Sequence, residues 1–573
     1  MCGIVGFVKE DSLKDLYKGL ETLEYRGYDS VGVAYIEGEE IRVRKRKGRV
    51  DKLRAFLLGH HSDVCLGHTR WATHGAPSKV NAHPHLAGKF AVVHNGIIAN
   101  YNSIKTVLEN EGRKMVSSTD TEVIAHLLDR YIVGDDVVGA IRKTTKDLEG
   151  NWAVAALYQG TPDCVYLFKK GNPLIVGRGG DFGCFASDTP ALVAFTREIY
   201  KMGDGEIARL ARDKCTFWNG DGQEYEPTFS LTTLEADEVD KGAYSTYMEK
   251  EMDEIPAAIR KTQAGLEEKV PKALLREAEK VVFTGCGTAY HACLYGAGLG
   301  WRVPVEAIPA SEFGLRGGEI DAKTVVVAVS QSGESADTLQ AVKEAKARGA
   351  KVVGVTNVPQ SGLTALVDAV MVTRAGAEIA VAATKSYVTQ MLALRGLAED
   401  WLGKPNVDAL AGDMEVVRGQ FGLLDEVAKS KIGNVFLLAK GDDYATCLEG
   451  ALKIKEVAYL PCDTCYAGEI KHGPLACVDR RTLVVAVCTD ARYADKMRTA
   501  LSEVRTRGAK VLAVASSDIG ERGERCVRLP QVAADMAPML AVLPLQYLAY
   551  RLAVVRGKDP DKPRNLAKSV TVE

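Results

Sequence analysis

The second half of this 573-residue chain repeats itself, and the repeat constrains the fold more than any other feature. Lys346-Ala347-Arg348-Gly349-Ala350-Lys351-Val352-Val353 matches Arg505-Thr506-Arg507-Gly508-Ala509-Lys510-Val511-Leu512, about 158 residues further on. An apolar run precedes each copy, at 324–329 and 482–487. Such runs alternating with helical stretches mark strands buried on both faces, as in parallel α/β sheets. Two similar α/β domains are therefore predicted, over 270–400 and 430–558. The copies differ after the strand: the first reads Ser330-Gln331-Ser332-Gly333-Glu334-Ser335, the second Cys488-Thr489-Asp490-Ala491-Arg492. Only the first has a hydroxyl-rich loop at the carboxyl end of a parallel strand, where α/β sheets bind ligands. Hydroxyls and N–H groups at a helix N-terminus suit a phosphate dianion; the same serines also suit a helix cap.

Residues 1–235 have a different texture, with many short strands such as 90–94 and 164–168, and read as an α+β unit. The acidic stretch 234–252 reads as a linker, and 236–269 as linker plus connecting helix. Cys2 follows the initiator Met1, so removing Met1 leaves a thiol beside a free α-amine whose reference pKa is about 7.7–8.0. That amine is a general base already poised near neutral pH, the arrangement of an N-terminal nucleophile; a small residue opening an edge strand is the plainer alternative. Arg70 and Asp120 supply the cation and anion that the α-carboxylate and α-ammonium of an amino-acid substrate need. Asn95-Gly96 suits an oxyanion hole. The same pair between apolar runs is also the commonest hairpin-turn signal, and Asp120 also suits a helix N-cap ahead of Val123.

In the second repeat, Glu449, Lys453 and Glu456 share a helical face by their i, i+4 and i+3 spacing. Carboxylates beside a lysine suit general acid–base chemistry, and equally a salt-bridged surface helix.

The opening Cys2-Gly3-Ile4-Val5-Gly6, Leu23-Glu24-Tyr25-Arg26-Gly27-Tyr28-Asp29-Ser30, His68-Thr69-Arg70-Trp71-Ala72-Thr73-His74-Gly75 and Asn81-Ala82-His83-Pro84 resemble the class II glutamine amidotransferases. Within them the resemblance is to the glutamine–fructose-6-phosphate aminotransferase family. It extends along the whole chain to Pro563-Arg564-Asn565-Leu566-Ala567-Lys568-Ser569-Val570-Thr571-Val572-Glu573. It implies an α+β N-terminal-nucleophile domain followed by two α/β sugar isomerase (SIS) domains with parallel sheets, and a tail, 559–573, entering the active site. The implied reaction converts fructose 6-phosphate and glutamine to glucosamine 6-phosphate and glutamate, the first step of amino-sugar (UDP-N-acetylglucosamine) synthesis. Two rivals are a different phosphosugar acceptor and an SIS half that only senses sugar phosphate.

By this resemblance Cys2 forms a γ-glutamyl thioester and releases ammonia, with Asn95 and Gly96 as oxyanion hole. Arg70, Thr73, His74 and Asp120 hold glutamine, and Trp71 gates the ammonia path. Thr288, Ser330, Gln331, Ser332 and Ser335 cradle the sugar phosphate. Glu456 moves the proton between C1 and C2, Lys453 stabilises the oxygen charge, and His472 opens the sugar ring. Lys568 is the Schiff-base lysine, although a lysine so near a chain end is ordinarily solvated. Three positions depart from the family pattern: Ala289 and Ala383 stand where serines are usual, and Asp463 where glutamate is frequent. A lost neutral hydrogen bond costs roughly 0.5–1.5 kcal/mol, so these bear on acceptor affinity more than on reaction type.

Composition narrows the partners. With 73 basic and 75 acidic residues the net charge is −2, which offers no field for nucleic acid or an anionic membrane. Thirteen scattered cysteines and the lack of a signal-peptide pattern read as a reduced, cytoplasmic protein. Cys462-Asp463-Thr464-Cys465 has the spacing of half a metal site, but no second pair stands near it. The apolar segment 536–555, interrupted by Gln546 and Arg551, reads as a buried helix. No metal or cofactor is expected. The resemblance implies a homodimer through the isomerase half, with His472 serving the neighbouring subunit.

Overall fold

A computed structural model describes residues 2–212, 214–232, 234–267, 269–316, 320–521 and 523–570. Met1, whose removal the expected N-terminal nucleophile requires, and Thr571-Val572-Glu573 of the tail motif lie outside the described residues. The chain divides into two compact units, one running up to Asp240 and the other from Lys241 to Lys568.

The first unit stacks an eight-stranded sheet on a seven-stranded one. Gly3–Val8 lies inside the first sheet, between Gly183–Ala186 and Val64–Arg70, antiparallel to both. All six of its residues are buried, so the alternation expected of a half-exposed strand is absent. One face carries Ile4 and Val8 into a core shared with Ala91, Val93, Ala153 and Leu167 of the second sheet. The other face is covered by the helix Leu13–Thr22, which buries Leu13, Leu16 and Leu20. The helices Glu122–Tyr131 and Val137–Asp147 cover the outer face of the second sheet, giving four layers, α, β, β and α. Glu40–Lys47 closes the first sheet as an edge strand and carries Arg42, Arg44, Lys45, Arg46 and Lys47.

The second unit holds two five-stranded parallel sheets of identical order. In the first, Lys280–Gly285 lies between Val305–Pro309 and Thr324–Ser330, followed by Lys351–Thr356 and Ala369–Val372. In the second, Asn434–Ala439 lies between Cys462–Tyr466 and Thr482–Cys488, followed by Lys510–Ala515 and Arg525–Arg528. The matching sequence segments thus occupy equivalent strands of the two copies. Tyr247–Asp253 and Ile255–Gln263 belong to this unit as packed helices: Met248, Met252, Ile255 and Ile259 enter its core. The Asp561 carboxylate accepts hydrogen bonds from the N–H groups of Tyr247 and Met248.

Ala537–Val555 is long and apolar enough to cross a membrane, yet 78% of its most apolar window is buried within the protein. Gln546 is wholly buried; its Nε2 donates to the Thr384 carbonyl, while its Oε1 has no partner among the described residues.

Candidate active sites

In the first unit, strand pairing brings Cys2 to the end of Val64–Arg70, since Gly3 pairs with Thr69. The Trp71 N–H donates to Cys2 Sγ at 3.2 Å, and the thiol lies 3.3 Å from the Trp71 carbonyl. Burial pushes the Cys2 thiol up, against the opposing fields of Arg70 and Arg26 and the Trp71 N–H. A thiol placed so needs a base. Arg26 donates through Nε to the Cys2 carbonyl and through Nη1 to Asp188.

Arg70 is 3% exposed and spends Nη2 on the carbonyls of His74 and Gly75. Its Nη1 is buried with no hydrogen-bond partner among the described residues, and so is His74 Nδ1. A buried, unpartnered guanidinium nitrogen suits an incoming carboxylate. Asp120 is buried and accepts from the Ile98 N–H at 2.9 Å. The helix after it begins at Glu122 with Thr121 at the cap position, so Asp120 is not its N-cap. Trp71 stands edge-on to Tyr28 with ring centroids 5.7 Å apart, and His74 edge-on to Tyr101. Thr73 is exposed on the same loop. Asn81, not singled out by the sequence reading as a functional residue, ties this loop to Ser118: it donates to the Ala76 carbonyl and accepts from the Ser118 N–H.

The hairpin reading of Asn95-Gly96 is wrong. Both residues lie within the strand Phe90–Ile98, opposite Ala153 and Trp152. Gly96 is there for its backbone: φ is +138°, and a Cβ would come within 2.0 Å of the Asn151 carbonyl oxygen. Asn95 Nδ2 donates to the Cys2 carbonyl at 3.0 Å, placing this amide beside the candidate nucleophile.

In the second unit, Lys453 lies at the end of the helix Asp443–Lys453, and Glu456 in the following π-helical turn Ile454–Ala458. Lys453 Nζ is 2.6 Å from Glu456, 3.4 Å from Glu449 and 3.1 Å from the Thr288 hydroxyl. The salt-bridged surface helix is overturned, because the Lys453 and Glu449 side chains are 1% and 0% exposed. Burial works against the Lys453 ammonium, but Glu449 and Glu456 hold its pKa above the ordinary lysine value. Despite its burial, Glu449 is held below the ordinary value by Lys453, His291 and Thr288. His291, absent from the sequence reading, approaches Glu449 at 2.9 Å. Thr288, expected on the phosphate, here bridges Glu449 and Lys453.

The loop after Thr324–Ser330 is compact. Ser330 Oγ accepts from the Gly333 N–H at 3.1 Å and meets Ser335 Oγ at 3.3 Å. Ser332 Oγ accepts from the Glu334 N–H, and the Gln331 carbonyl accepts from the Asn357 N–H. Ser335 occupies the cap position of Ala336–Ala347 but makes no side-chain cap bond, so a pure capping role does not account for it. In the second copy Thr489 donates both its N–H and its hydroxyl to Asp443, at 2.9 and 2.7 Å. Burial raises the Asp443 carboxyl to about 6.

Lys568 is not solvated. Its side chain is 7% exposed and pairs at 2.6 Å with the fully buried Glu378. Glu378 also accepts from the N–H groups of Thr384 and Ser386, and despite burial is held down at about 2, chiefly by Lys568. Glu251 accepts from the Ala380 N–H, and burial, then the Glu378 charge, raises it to about 8. The two acids give opposite pH dependences. The folded state keeps a proton on Glu251 that the unfolded chain releases above pH 4.5, so stability falls as pH rises from 4.5 towards 8. Glu378 contributes stability above pH 4.5 that is lost as pH falls towards 2. Glu251→Gln should flatten the alkaline side of a plot of thermal midpoint against pH, recovering on the order of a few kcal/mol at pH 8. An unchanged slope would refute this assignment.

His472 lies in the turn Ile470–His472, is exposed, and its ring makes no hydrogen bond among the described residues. The structure therefore does not join it to Lys453 and Glu456 within one chain. Ala289 is buried, Ala383 half-buried, and Asp463 exposed with its carboxylate on the Thr464 N–H. Cys462 and Cys465, three apart on a strand, point to opposite faces.

Comparison with known proteins agrees with this two-part layout. Residues 68–194 match the glutamine amidotransferase domain family, and residues 274–399 and 428–556 match the SIS domain family. Proteins of Clostridium tetani and Symbiobacterium thermophilum are 40% and 42% identical over 610 and 612 aligned residues, each covering 100% of both chains. Both are named glutamine–fructose-6-phosphate aminotransferase (isomerizing). The chain belongs to that family. Among solved structures, the C-terminal domain of the glucosamine-fructose-6-phosphate aminotransferase of Francisella tularensis is 29% identical, with a TM-score of 0.53. It covers 56% of this chain and 100% of that domain. Tagatose-6-phosphate ketose/aldose isomerase of Escherichia coli, 19% identical with a TM-score of 0.51, shares the fold over 57% of this chain and 98% of its own. Membership of the glutamine–fructose-6-phosphate aminotransferase family makes the chain an enzyme with an amidotransferase domain and paired SIS domains.

Proposed function

We propose that this chain transfers the amide nitrogen of glutamine to fructose 6-phosphate, giving glucosamine 6-phosphate and glutamate. The observation that carries the reading is the presence, in one chain, of the Cys2 thiol site and the buried Glu449–Lys453–Glu456 cluster. The α-carboxylate of glutamine pairs with Arg70 Nη1 and its α-ammonium with Asp120. With Met1 removed, the Cys2 amine takes the thiol proton and sulfur attacks the side-chain amide carbon. Asn95 Nδ2 and the Gly96 N–H receive the developing oxyanion. As the intermediate collapses, the Cys2 ammonium gives that proton to the leaving nitrogen and ammonia departs; water then hydrolyses the thioester to glutamate and frees the thiol.

In the isomerase half the loop 330–335 receives the sugar phosphate, and Lys568 condenses with the C2 carbonyl after giving up its ammonium proton. Ammonia replaces the lysine nitrogen at C2. Glu456 then moves a proton from C1 to C2 while Lys453 stabilises charge on the oxygen at C1. The aldose product carries its amine on C2. His472 opens the ring of a neighbouring subunit's sugar in a cytoplasmic homodimer, a reading supported by its exposure and by the free cysteines. Incubation with glutamine and fructose 6-phosphate should yield one glucosamine 6-phosphate per glutamate; glutamate without amino sugar would refute the transfer. Light scattering should give twice the chain mass of 61.8 kDa, and an active monomer would overturn the shared site.

A further inference from the structure

Four histidines, His68, His83, His85 and His94, are buried beneath the candidate glutaminase site, and the proposed chemistry uses none of them. Their hydrogen bonds show what one of them does. His68 Nε2 lies 3.0 Å from the His94 carbonyl oxygen and 3.1 Å from Asn95 Oδ1. A carbonyl oxygen can only accept, so Nε2 carries the proton and donates to both. Burial depresses the His68 pKa to about 3, which leaves the ring neutral in that single tautomer. Stacking on His83, with centroids 4.0 Å apart and planes 19° apart, fixes its orientation.

The Asn95 amide is therefore determined from both ends. Its oxygen faces a donor, His68 Nε2–H, and its nitrogen faces an obligate acceptor, the Cys2 carbonyl, at 3.0 Å. The second Nδ2 hydrogen is left for another acceptor. The same logic holds one bond along the chain. Asn172 Nδ2 donates to the Asn95 backbone carbonyl at 2.9 Å. Across a planar trans peptide the Gly96 N–H points opposite to that carbonyl, so Asn172 sets the direction of the Gly96 N–H. Asn172 is 6% exposed, in the loop after the strand Cys164–Lys170.

We infer that His68 and Asn172 are positioning residues for the oxyanion hole: each grips the acceptor end of an amide whose donor end stabilises the transition state. The inference rests on the glutaminase reading above. A donor held before reaction needs no reorganisation when charge develops, which is where such sites derive their effect.

The test uses the full-length enzyme. His68→Ala and Asn172→Asp should each lower kcat for glutamine hydrolysis by about 10–100-fold, less than deletion of an oxyanion donor itself, with KM held within about threefold. Glutamate γ-semialdehyde, whose Cys2 adduct places an oxygen in the hole, should lose affinity by the same factor. Alkylation of Cys2 by iodoacetamide, followed by the mass of the N-terminal peptide, develops no oxyanion and should keep its rate. His68→Gln, which retains a side-chain N–H, should recover part of the loss. Equal losses in alkylation, KM and kcat would reduce both residues to structural ones, and an unchanged kcat would overturn the inference outright. Should His68→Ala fail to fold, His68→Gln and Asn172→Ala decide by the same readouts. Wild-type protein that releases no glutamate would instead refute the glutaminase reading itself.

Discussion

Cys2→Ala should stop glutamate release, by a factor on the order of 10⁶ if the thiol behaves as other covalent nucleophiles do. Glutamine should still bind, because the carboxylate and ammonium contacts proposed for Arg70 and Asp120 do not involve sulfur. Calorimetry would therefore find affinity within a few-fold of wild type while turnover vanishes. Interconversion of fructose 6-phosphate and glucose 6-phosphate should continue, since the residues proposed for it lie in the other unit. Persistent glutaminase activity would remove Cys2 from the mechanism. The buried setting sharpens the requirement for a base: with its thiol pushed up by burial, Cys2 has little thiolate of its own near neutral pH.

The second large effect belongs to Lys453. Lys453→Met leaves the wholly buried Glu449 and the neighbouring Glu456 without their cation. Breaking a buried pair from one side costs about 3–5 kcal/mol, because a desolvated charge is left uncompensated. Denaturant unfolding of the isomerase half should shift by that amount, and sugar isomerisation should fall by about 10²–10⁴-fold. Adding Glu449→Gln removes the orphaned charge. The double variant should regain most of the stability and none of the isomerisation, separating the pair's two contributions. If Lys453→Met were as stable as wild type, the three side chains would not form the coupled cluster described above.

Local pattern made some of this legible from the sequence and left the rest out of reach. The duplicated strand–loop–helix unit was readable because strands buried on both faces leave uninterrupted apolar runs, and 324–329 and 482–487 occupy the same place in two sheets of identical order. Glu449, Lys453 and Glu456 were readable as a group by helical spacing. Their burial was not, since a Glu/Lys pattern looks the same on a surface. Asn95-Gly96 misled for the opposite reason: its local signal is a turn, and only the partner strand Gly150–Tyr158 keeps it extended. Glu378, 190 residues from Lys568, and Asn172, 77 residues from Asn95, make single contacts across long separations. No periodicity announces such contacts. For the same reason position in the chain alone would have left Lys568 solvated, and only the family resemblance singled it out.

The duplicated sheets also differ in what they can hold. In the second, the loop equivalent to the serine loop has its Thr489 N–H and hydroxyl already bound to Asp443, from the same chain. A tethered carboxylate acts as an internal ligand: it competes as an intramolecular partner, with no translational entropy to lose. An incoming dianion would have to displace two charge-assisted hydrogen bonds and then sit beside the displaced charge. Duplication here doubled the scaffold without duplicating the serine loop, and it is the second copy that carries the Glu449, Lys453 and Glu456 cluster.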